Sequence, residues 1–414
     1  MTWDFTPPED SDISDHGVEN RSNFLQGRHI ALLVCGGIAA IKAPLLAREL
    51  RRHGARVTIY ASQEALKYTT LDSLAWSSDQ PVITSLSARS EHLDTKGGFD
   101  AYLVAPATYN AINKIAAGIA DNVITTAMAS ALGKLERGLA RVLIAPTMHG
   151  QMHNSILTNN MRALNAMGVA FIQPRQQCGK NNLPNIQTIA ATLIRHLNHE
   201  KMKGRKILVT AGNTPVAIDG IRRISTIFKG RLGLEIALAL YYNGADVDLL
   251  LSGSDISVPE YLNCIKVNSY DAYKETCITL AAEKNYDYAI FSAAVADYRP
   301  RRVVDGKIKS DEAEIGLELV RTEKVIDIFQ QQFPGVGIIS FKYEQKVTHD
   351  QLTSIARKRL DEGHLAVIAT RDEDRTQSGE QVAYLFSPGH ESRQATGKSG
   401  IARLILDWFN ASYQ

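Results

Sequence analysis

Short apolar runs alternate along this chain with stretches of helical period. His29 to Val34 is a continuous apolar run bounded by glycines, which predicts a strand buried on both faces. Ala39 to His53 follows with Leu45, Leu46 and Leu50 apolar against Arg48, Arg51 and Arg52, a helical spacing for which Gly54 offers a C-cap. The same grammar recurs as strands at Arg56–Ala61, Ala101–Ala105 and Arg141–Ala145, with a helix at Tyr109–Ala117. From Pro174 to Asn185 the pattern dissolves into Gln, Asn, Gly and Pro and reads as loop; Ile186–Leu197 is helical again. After the polar stretch Asn198–Gly204 the alternation restarts: strand Lys206–Thr210, helix Leu234–Asn243, strand Ala245–Ser252. Apolar runs at Asp287–Ala293, Val336–Phe341 and Leu365–Ala369 and an amphipathic helix at Ile401–Phe409 complete it. Strands alternating with helices predict two doubly wound, Rossmann-like α/β domains, each with its ligand at the strand C-termini. The expected division is an arm over 1–27, a domain over 28–198, a linker over 199–205 and a second domain over 206–414.

Composition narrows the function classes. At 414 residues the chain is long enough for two or three cores. Its 46 basic and 44 acidic side chains leave a formal charge of +2, which argues against a nucleic-acid binder or an electrostatic membrane anchor. Cys35, Cys178, Cys264 and Cys277 are far apart and form no CxxC pair, so a disulfide scaffold or zinc site is not expected and a cytoplasmic location is. No apolar stretch approaches the roughly 20 residues of a membrane span. Met1–Gln26 is acidic and polar, unlike a signal peptide, and reads as a mobile arm.

Two polar constellations interrupt the apolar runs. In the first, Gly36-Gly37 joins a strand to a helix, an arrangement that presents free amides and a helix dipole to an anion or merely packs a tight turn. Ser62 and Ala105-Pro106-Ala107-Thr108 end neighbouring strands; Asn110, Asn113 and Lys114 share a helical face, and Gly118 to Asn122 is a turn rich in amide and carboxylate groups. Such groups suit a planar, phosphorylated cofactor. In the second, Thr210 to Thr214 ends a strand, and Asp219, Arg222, Arg223, Lys229 and Arg231 follow, as a phosphorylated ligand or a solvated basic turn would have it. Ser292 to Pro300 runs from small apolar residues into Asp297-Tyr298-Arg299, which packing alone seldom explains, and Lys307 and Lys309 come next.

Gly36-Gly37-Ile38-Ala39-Ala40-Ile41-Lys42, Ala105-Pro106-Ala107-Thr108 and Ala116 to Asn122 resemble the FMN-dependent cysteine decarboxylases, nearest the phosphopantothenoylcysteine decarboxylases. The second half resembles the phosphopantothenate–cysteine ligases, commonly fused behind the decarboxylase in this order. Together the resemblance covers residues 28 to 412 and implies a bifunctional enzyme of coenzyme A biosynthesis.

The resemblance implies a flavodoxin-like first domain whose FMN would lie against Gly36, Gly37, Ile38, Ser62, Ala105, Pro106, Thr108 and Asn110, with Asn122, Met148 and His149 toward the substrate. There, flavin would take electrons from the cysteinyl thiol so that carbon dioxide leaves. His92 matches the active-site histidine, suited to moving a proton near neutral pH, and Cys178 the redox cysteine of a mobile flap. In the ligase half, CTP and Mg²⁺ would activate the acid as an acyl-cytidylate that cysteine's amine attacks. Gly212, Ala294, Asp297, Lys307, Phe341, Lys342 and Lys358 would hold the nucleotide, Asp297 also the metal. Lys358 would belong to a flexible lysine loop, and Arg222 and Thr226 would face the acyl group. Two positions depart from the pattern, His149 and Thr226, where the families carry Asn; these leave open a second reading, the same chemistries on a different acid and amine. The partners implied are small molecules and further copies of the chain, in a homo-oligomer built on trimers and dimers.

Overall fold

The computed structural model describes residues 5–7, 9–93, 98–309 and 314–412. The chain forms two compact units, Met1–Asn198 and His199–Gln414. The first contains β1 (His29–Val34), α1 (Ala43–Arg52), β2 (Arg56–Ala61), α2 (Leu71–Ser78), β3 (Ala101–Ala107), α3 (Tyr109–Ala116) and α4 (Val123–Glu136). It continues through β4 (Arg141–Pro146), β5 (Met148–His149), α5 (Ser155–Ala166), β6 (Ala170–Phe171), β7 (Arg175–Gln177), β8 (Lys180–Asn182) and α6 (Ile186–Asn198).

Its five-stranded parallel sheet has the order β2-β1-β3-β4-β6, the flavodoxin-like winding in which chain direction reverses between β1 and β3. Near-continuous apolar strands follow from helices covering both faces: Leu33, Val104 and Ile144 pack with Ile112, Ile124 and Met128 in one core.

Three expectations change here. The 1–27 arm is docked at its C-terminal end: Leu25 is fully buried, Arg21 pairs with Glu49 at 2.9 Å, and the Arg21 and Leu25 amides donate to the Arg52 and His53 carbonyls at the end of α1. Apolar anchoring and satisfied carbonyls outweigh the segment's polar composition; residues 1–4 and 8 of the arm lie outside the described residues. The predicted helix from Ala39 splits into a 3-10 turn, Ile38–Lys42, and then α1, with Pro44 in the first turn of the α-helix. The supposed loop 174–185 holds the hairpin β7–β8, whose β8 pairs with β5. Backbone pairing needs no apolar alternation, so the polar sequence concealed it.

The second unit, preceded by a 3-10 turn at His199–Lys201 within the expected linker, contains β9 (Lys206–Gly212), β10 (Val216–Ala217), β11 (Arg223–Ile224), α7 (Arg231–Tyr242), β12 (Asp246–Ser252) and β13 (Asn263–Val267). Then come α8 (Tyr270–Lys284), β14 (Tyr288–Phe291), β15 (Tyr298–Pro300), β16 (Leu319–Arg321), α9 (Val325–Gln332) and β17 (Gly337–Glu344). α10 (His349–Asp361), β18 (Ala366–Arg375), β19 (Gln381–Phe386), β20 (Arg393–Thr396) and α11 (Gly397–Ser412) close the chain. Its eight-stranded sheet runs β13-β12-β9-β14-β17-β18-β19-β20; the first six strands are parallel, and β19 pairs antiparallel with both β18 and β20. In chain order the parallel strands read 3-2-1-4-5-6, the Rossmann winding, which reverses between β9 and β14. Leu208, Leu250 and Ala289 meet Tyr273, Cys277 and Phe329 in its core.

Candidate active sites at the two reversal points

Open α/β sheets bind ligands outside the strand C-termini where the winding reverses. In the first unit that place is a cleft of about 990 Å³. Gly36, Ser62, Thr108, Asn110, Asn122 and Met148, all expected from the sequence, line it. Gly36 is required for close approach, since a Cβ there would lie 2.3 Å from the Cβ of Glu64. Gly37 has extended backbone, φ −167°, and no such need.

Two of the wall residues are helix caps. Thr108 Oγ1 accepts from the Ala111 amide at the start of α3, and Asn122 Oδ1 accepts from the Ile124 and Thr125 amides in a capping box for α4. Across the same wall Lys114 pairs with Asp121, and that bond holds the Asp121 carboxyl below its ordinary range. Cys35 also lines the cleft; burial pushes its thiol up to about 12, so it is a neutral thiol there at physiological pH. Thr84 and Ser85 add hydroxyls that the sequence reading missed. They sit in a loop with no periodic pattern, after the isolated bridge at Ile83; the signal available was a hydroxyl-rich stretch.

Other expected residues lie beyond the cleft lining. Ala105 and Pro106 are buried in β3, while Ile38 is 69% exposed. His92 follows a loop that Tyr60 holds by donating to the Glu91 carbonyl at 2.7 Å, and its Nδ1 is buried without a hydrogen-bonding partner. Cys178 and Gly179 form the two-residue turn of the β7–β8 hairpin with φ of 52° and 67°, the type I′ arrangement, which exposes the thiol at the tip. The hairpin is seated, because Gly150 donates to the Gly179 carbonyl at 3.0 Å. His149 is exposed, and its Nδ1 accepts from the Gln151 amide at 3.2 Å, leaving the ring proton on Nε2.

In the second unit the reversal point is closed by backbone. The Ala294 amide donates to the Gly212 carbonyl at 2.8 Å, so these two expected residues meet. Gly212 has φ +89°, and a Cβ there would fall 1.9 Å from the Ser252 carbonyl oxygen. Charged groups on the loops around this seam and at the end of β17 are paired with each other. Asp297 pairs with Lys324, Lys342 with Glu344 at 2.8 Å, and Arg222 with Asp219 at 2.5 Å. Lys307 and Thr226 are exposed, and Phe341 is half-buried on β17. Among the described residues no group of three His, Cys, Asp or Glu side chains is arranged to hold a metal.

Lys358 departs from expectation. It lies in the last turns of α10, which returns from the C-terminal edge of β17 toward the start of β18. That puts it on a helix at the edge of the sheet opposite the reversal point, not on a loop over a nucleotide.

Residues 19–198 match the family model described as Flavoprotein, and residues 202–412 that described as DNA/pantothenate metabolism flavoprotein C-terminal domain. The coenzyme A biosynthesis bifunctional protein CoaBC of Thermococcus kodakarensis is 36% identical over 347 residues, 82% of this chain and 84% of that protein. The chain belongs to the CoaBC family. Its counterpart from Methanocaldococcus jannaschii is 29% identical over 390 residues, 94% of each chain. Among solved structures, the DNA/pantothenate metabolism flavoprotein from Streptococcus pneumoniae is 25% identical, covers 51% of this chain and 100% of its own, and superposes with a TM-score of 0.46. No helix among the described residues is long and apolar enough to cross a membrane.

Proposed function

We propose that this CoaBC-family chain makes a phosphopantetheine-type thiol in two steps: its second unit joins phosphopantothenate to cysteine with CTP, and its first decarboxylates the product with FMN. The pairing of both family modules in one chain, in one order, carries the reading.

The first cleft suits FMN by its donor set. Ser62, Thr84, Ser85 and Thr108 offer hydroxyls to a phosphate, and the volume of about 990 Å³ admits a fused ring system. Bound FMN supplies a two-electron acceptor and donor for the cysteinyl thiol, which lets the neighbouring carboxylate leave as carbon dioxide. His92, with its unpartnered Nδ1, accepts or returns a proton there. Cys178, at the tip of the seated hairpin, serves as an acid once substrate covers it. The Nε2–H of His149 donates to a substrate carboxylate at the cleft mouth.

In the ligase unit the acid's carboxylate attacks the α-phosphorus of CTP and pyrophosphate leaves; cysteine's amine then attacks the acyl-cytidylate, forming the amide and releasing CMP. Arg222 and Lys307 offset the charge that develops on the phosphates. A single carboxylate, Asp297, suits a Mg²⁺ that arrives on nucleotide phosphates, in exchange for its pairing with Lys324. Thr226, exposed beside the seam, faces the acyl group. Assembly into a homo-oligomer of trimers and dimers fits the apolar Ile38, Ile41 and Leu45, all more than half exposed, and unpaired thiols fit the cytoplasm.

The test is to give the purified protein CTP, Mg²⁺, phosphopantothenate and cysteine while following CMP and product mass. CMP release with a cysteinyl adduct that then loses carbon dioxide is the expected result. FMN retention without CMP release would reject the ligase half.

A further inference from the structure

The loops that carry Arg222 and Lys307 come from opposite sides of the reversal point. Residues 213–222 leave β9, and residues 292–308 leave β14. The two loops are tied at their roots, where the Ala294 amide donates to the Gly212 carbonyl and the Ala296 amide to Thr214 Oγ1, both at 2.8 Å. Farther out, where Arg222 and Lys307 sit, a cross-brace joins them, and its centre is Asp219.

Asp219 is 3% exposed and accepts four hydrogen bonds through both carboxylate oxygens. Oδ1 takes the Ile221 and Arg222 amides at 2.8 and 2.6 Å, which shapes the turn on its own side. Oδ2 takes the Arg222 guanidinium at 2.5 Å and the Ile308 amide at 3.0 Å. The second bond crosses to the other loop, next to Lys307. Three further contacts run alongside: Gly220 donates to the Gly306 carbonyl at 2.7 Å, Val304 to the Ile218 carbonyl at 3.0 Å, and the Arg222 guanidinium to the Ile308 carbonyl at 3.3 Å. The Arg222, Ile308 and Ile221 amides with the guanidinium hold the carboxyl far below the usual carboxylate range, so the brace is charged at every pH at which the enzyme works.

We propose that Asp219 is a positioning residue of the ligase site: its carboxylate ties the Arg222 turn to the Lys307 loop and so sets the spacing of the two cations that face the nucleotide. This rests on the ligase reading above. One oxygen builds the turn and the other joins the loops, so the two duties can be separated. Asp219→Asn, with its carbonyl oxygen toward Ile221 and Arg222, keeps the turn but sets an NH₂ against the Ile308 amide and the guanidinium. Ile308→Pro removes the donating amide from the far side and leaves Asp219 intact.

The experiment measures CMP release by the full-length flavoprotein against CTP and cysteine concentration, with thermal unfolding of each variant alongside. Asp219→Asn should lower kcat about tenfold to a hundredfold, because misplacement by an ångström is enough for that. KM for cysteine should stay within about twofold, since binding of the amine is not what the brace arranges. Ile308→Pro should reproduce the loss, and the double variant should be no worse than either single, since both cut one link. Wild-type kcat in Asp219→Asn overturns the inference. If that variant fails to fold, wild-type kcat in Ile308→Pro overturns it instead, and so do losses that add in the double variant. A wild-type protein that releases no CMP overturns the ligase reading and this inference with it, an outcome distinct from an active wild type with active variants.

Discussion

The two reversal points use the same topology and prepare their sites in opposite ways. The first is an open cleft whose wall consists of helix caps and hydroxyls already in place, with Thr108 and Asn122 bonded to the starts of α3 and α4. The second has its backbone zipped between Gly212 and Ala294, and its charged side chains neutralise one another in pairs. A cofactor that stays can be met by a preformed pocket. Substrates that enter and leave with several negative charges can be met by ion pairs that exchange partners.

The sharpest way to break the contrast is at the zipped seam. Gly212→Val places side-chain atoms where the Ser252 carbonyl sits and strains a φ of +89°, so it should destabilise the second unit by about 4 kcal/mol. Denaturant unfolding should show that loss while flavin stays bound to the first unit. At the preformed wall, Thr108→Ala should lower both stability, by about 1 kcal/mol for the lost cap, and flavin affinity; Thr84→Ala should lower flavin affinity alone. Flavin titration combined with melting separates the two. For the exchanging pairs, Lys324→Ala frees Asp297 and should strengthen CTP–Mg²⁺ binding roughly threefold while costing well under 1 kcal/mol of stability, as exposed pairs do. Calorimetric titration reads the first and thermal unfolding the second.

The smallest effect concerns the docked N-terminal segment, which is held at the C-terminal end of α1. Burial works against the charge of Glu49, but hydrogen bonds from His53 and Arg52 and the charges of Arg21 and His53 outweigh it and leave the carboxyl below its ordinary value. A depressed folded value means that this contribution is complete above the ordinary carboxylate range and is lost as pH falls through the folded value. The Arg21 and Leu25 amides should therefore lose exchange protection only when the pH falls below the ordinary carboxylate range, and Glu49→Gln should let trypsin cut after Arg21 at neutral pH. Protection unchanged in both experiments would mean that Leu25 alone holds the segment.

What could be read beforehand followed where the apolar pattern is strong. β1 and β2 were legible to the residue: β1 is a nearly continuous buried run, and β2 buries Val57 and Ile59–Ala61 around the partly exposed Thr58. α4 was not, since Val123–Glu136 is apolar on most of its circumference and shows little helical stripe. Strand-end residues such as Ser62 and Thr108 could be found by their place after an apolar run, whereas Thr84 and Ser85 follow only an isolated bridge between Ile83 and Tyr60. Lys358 was assigned to a flexible loop by the resemblance alone, and the path of α10 places it on a helix instead. The pairing of Asp297 with Lys324 joins distant residues through folding and left no mark in the sequence, whereas Asp219 and Arg222 pair within one turn.

The double duty of Thr108 and Asn122 bears on how such a pocket can diverge. A residue that starts a helix and also faces the ligand can change only among the few side chains that still accept a backbone amide, chiefly Ser, Asp, Asn and Thr. That part of the wall is then inherited almost unaltered by any descendant that still folds. Thr84 and Ser85 owe nothing to a helix, so drift in the lineage, or a library built at the bench, has its freedom there. New acids should be acquired through that loop while the caps keep the pocket's age.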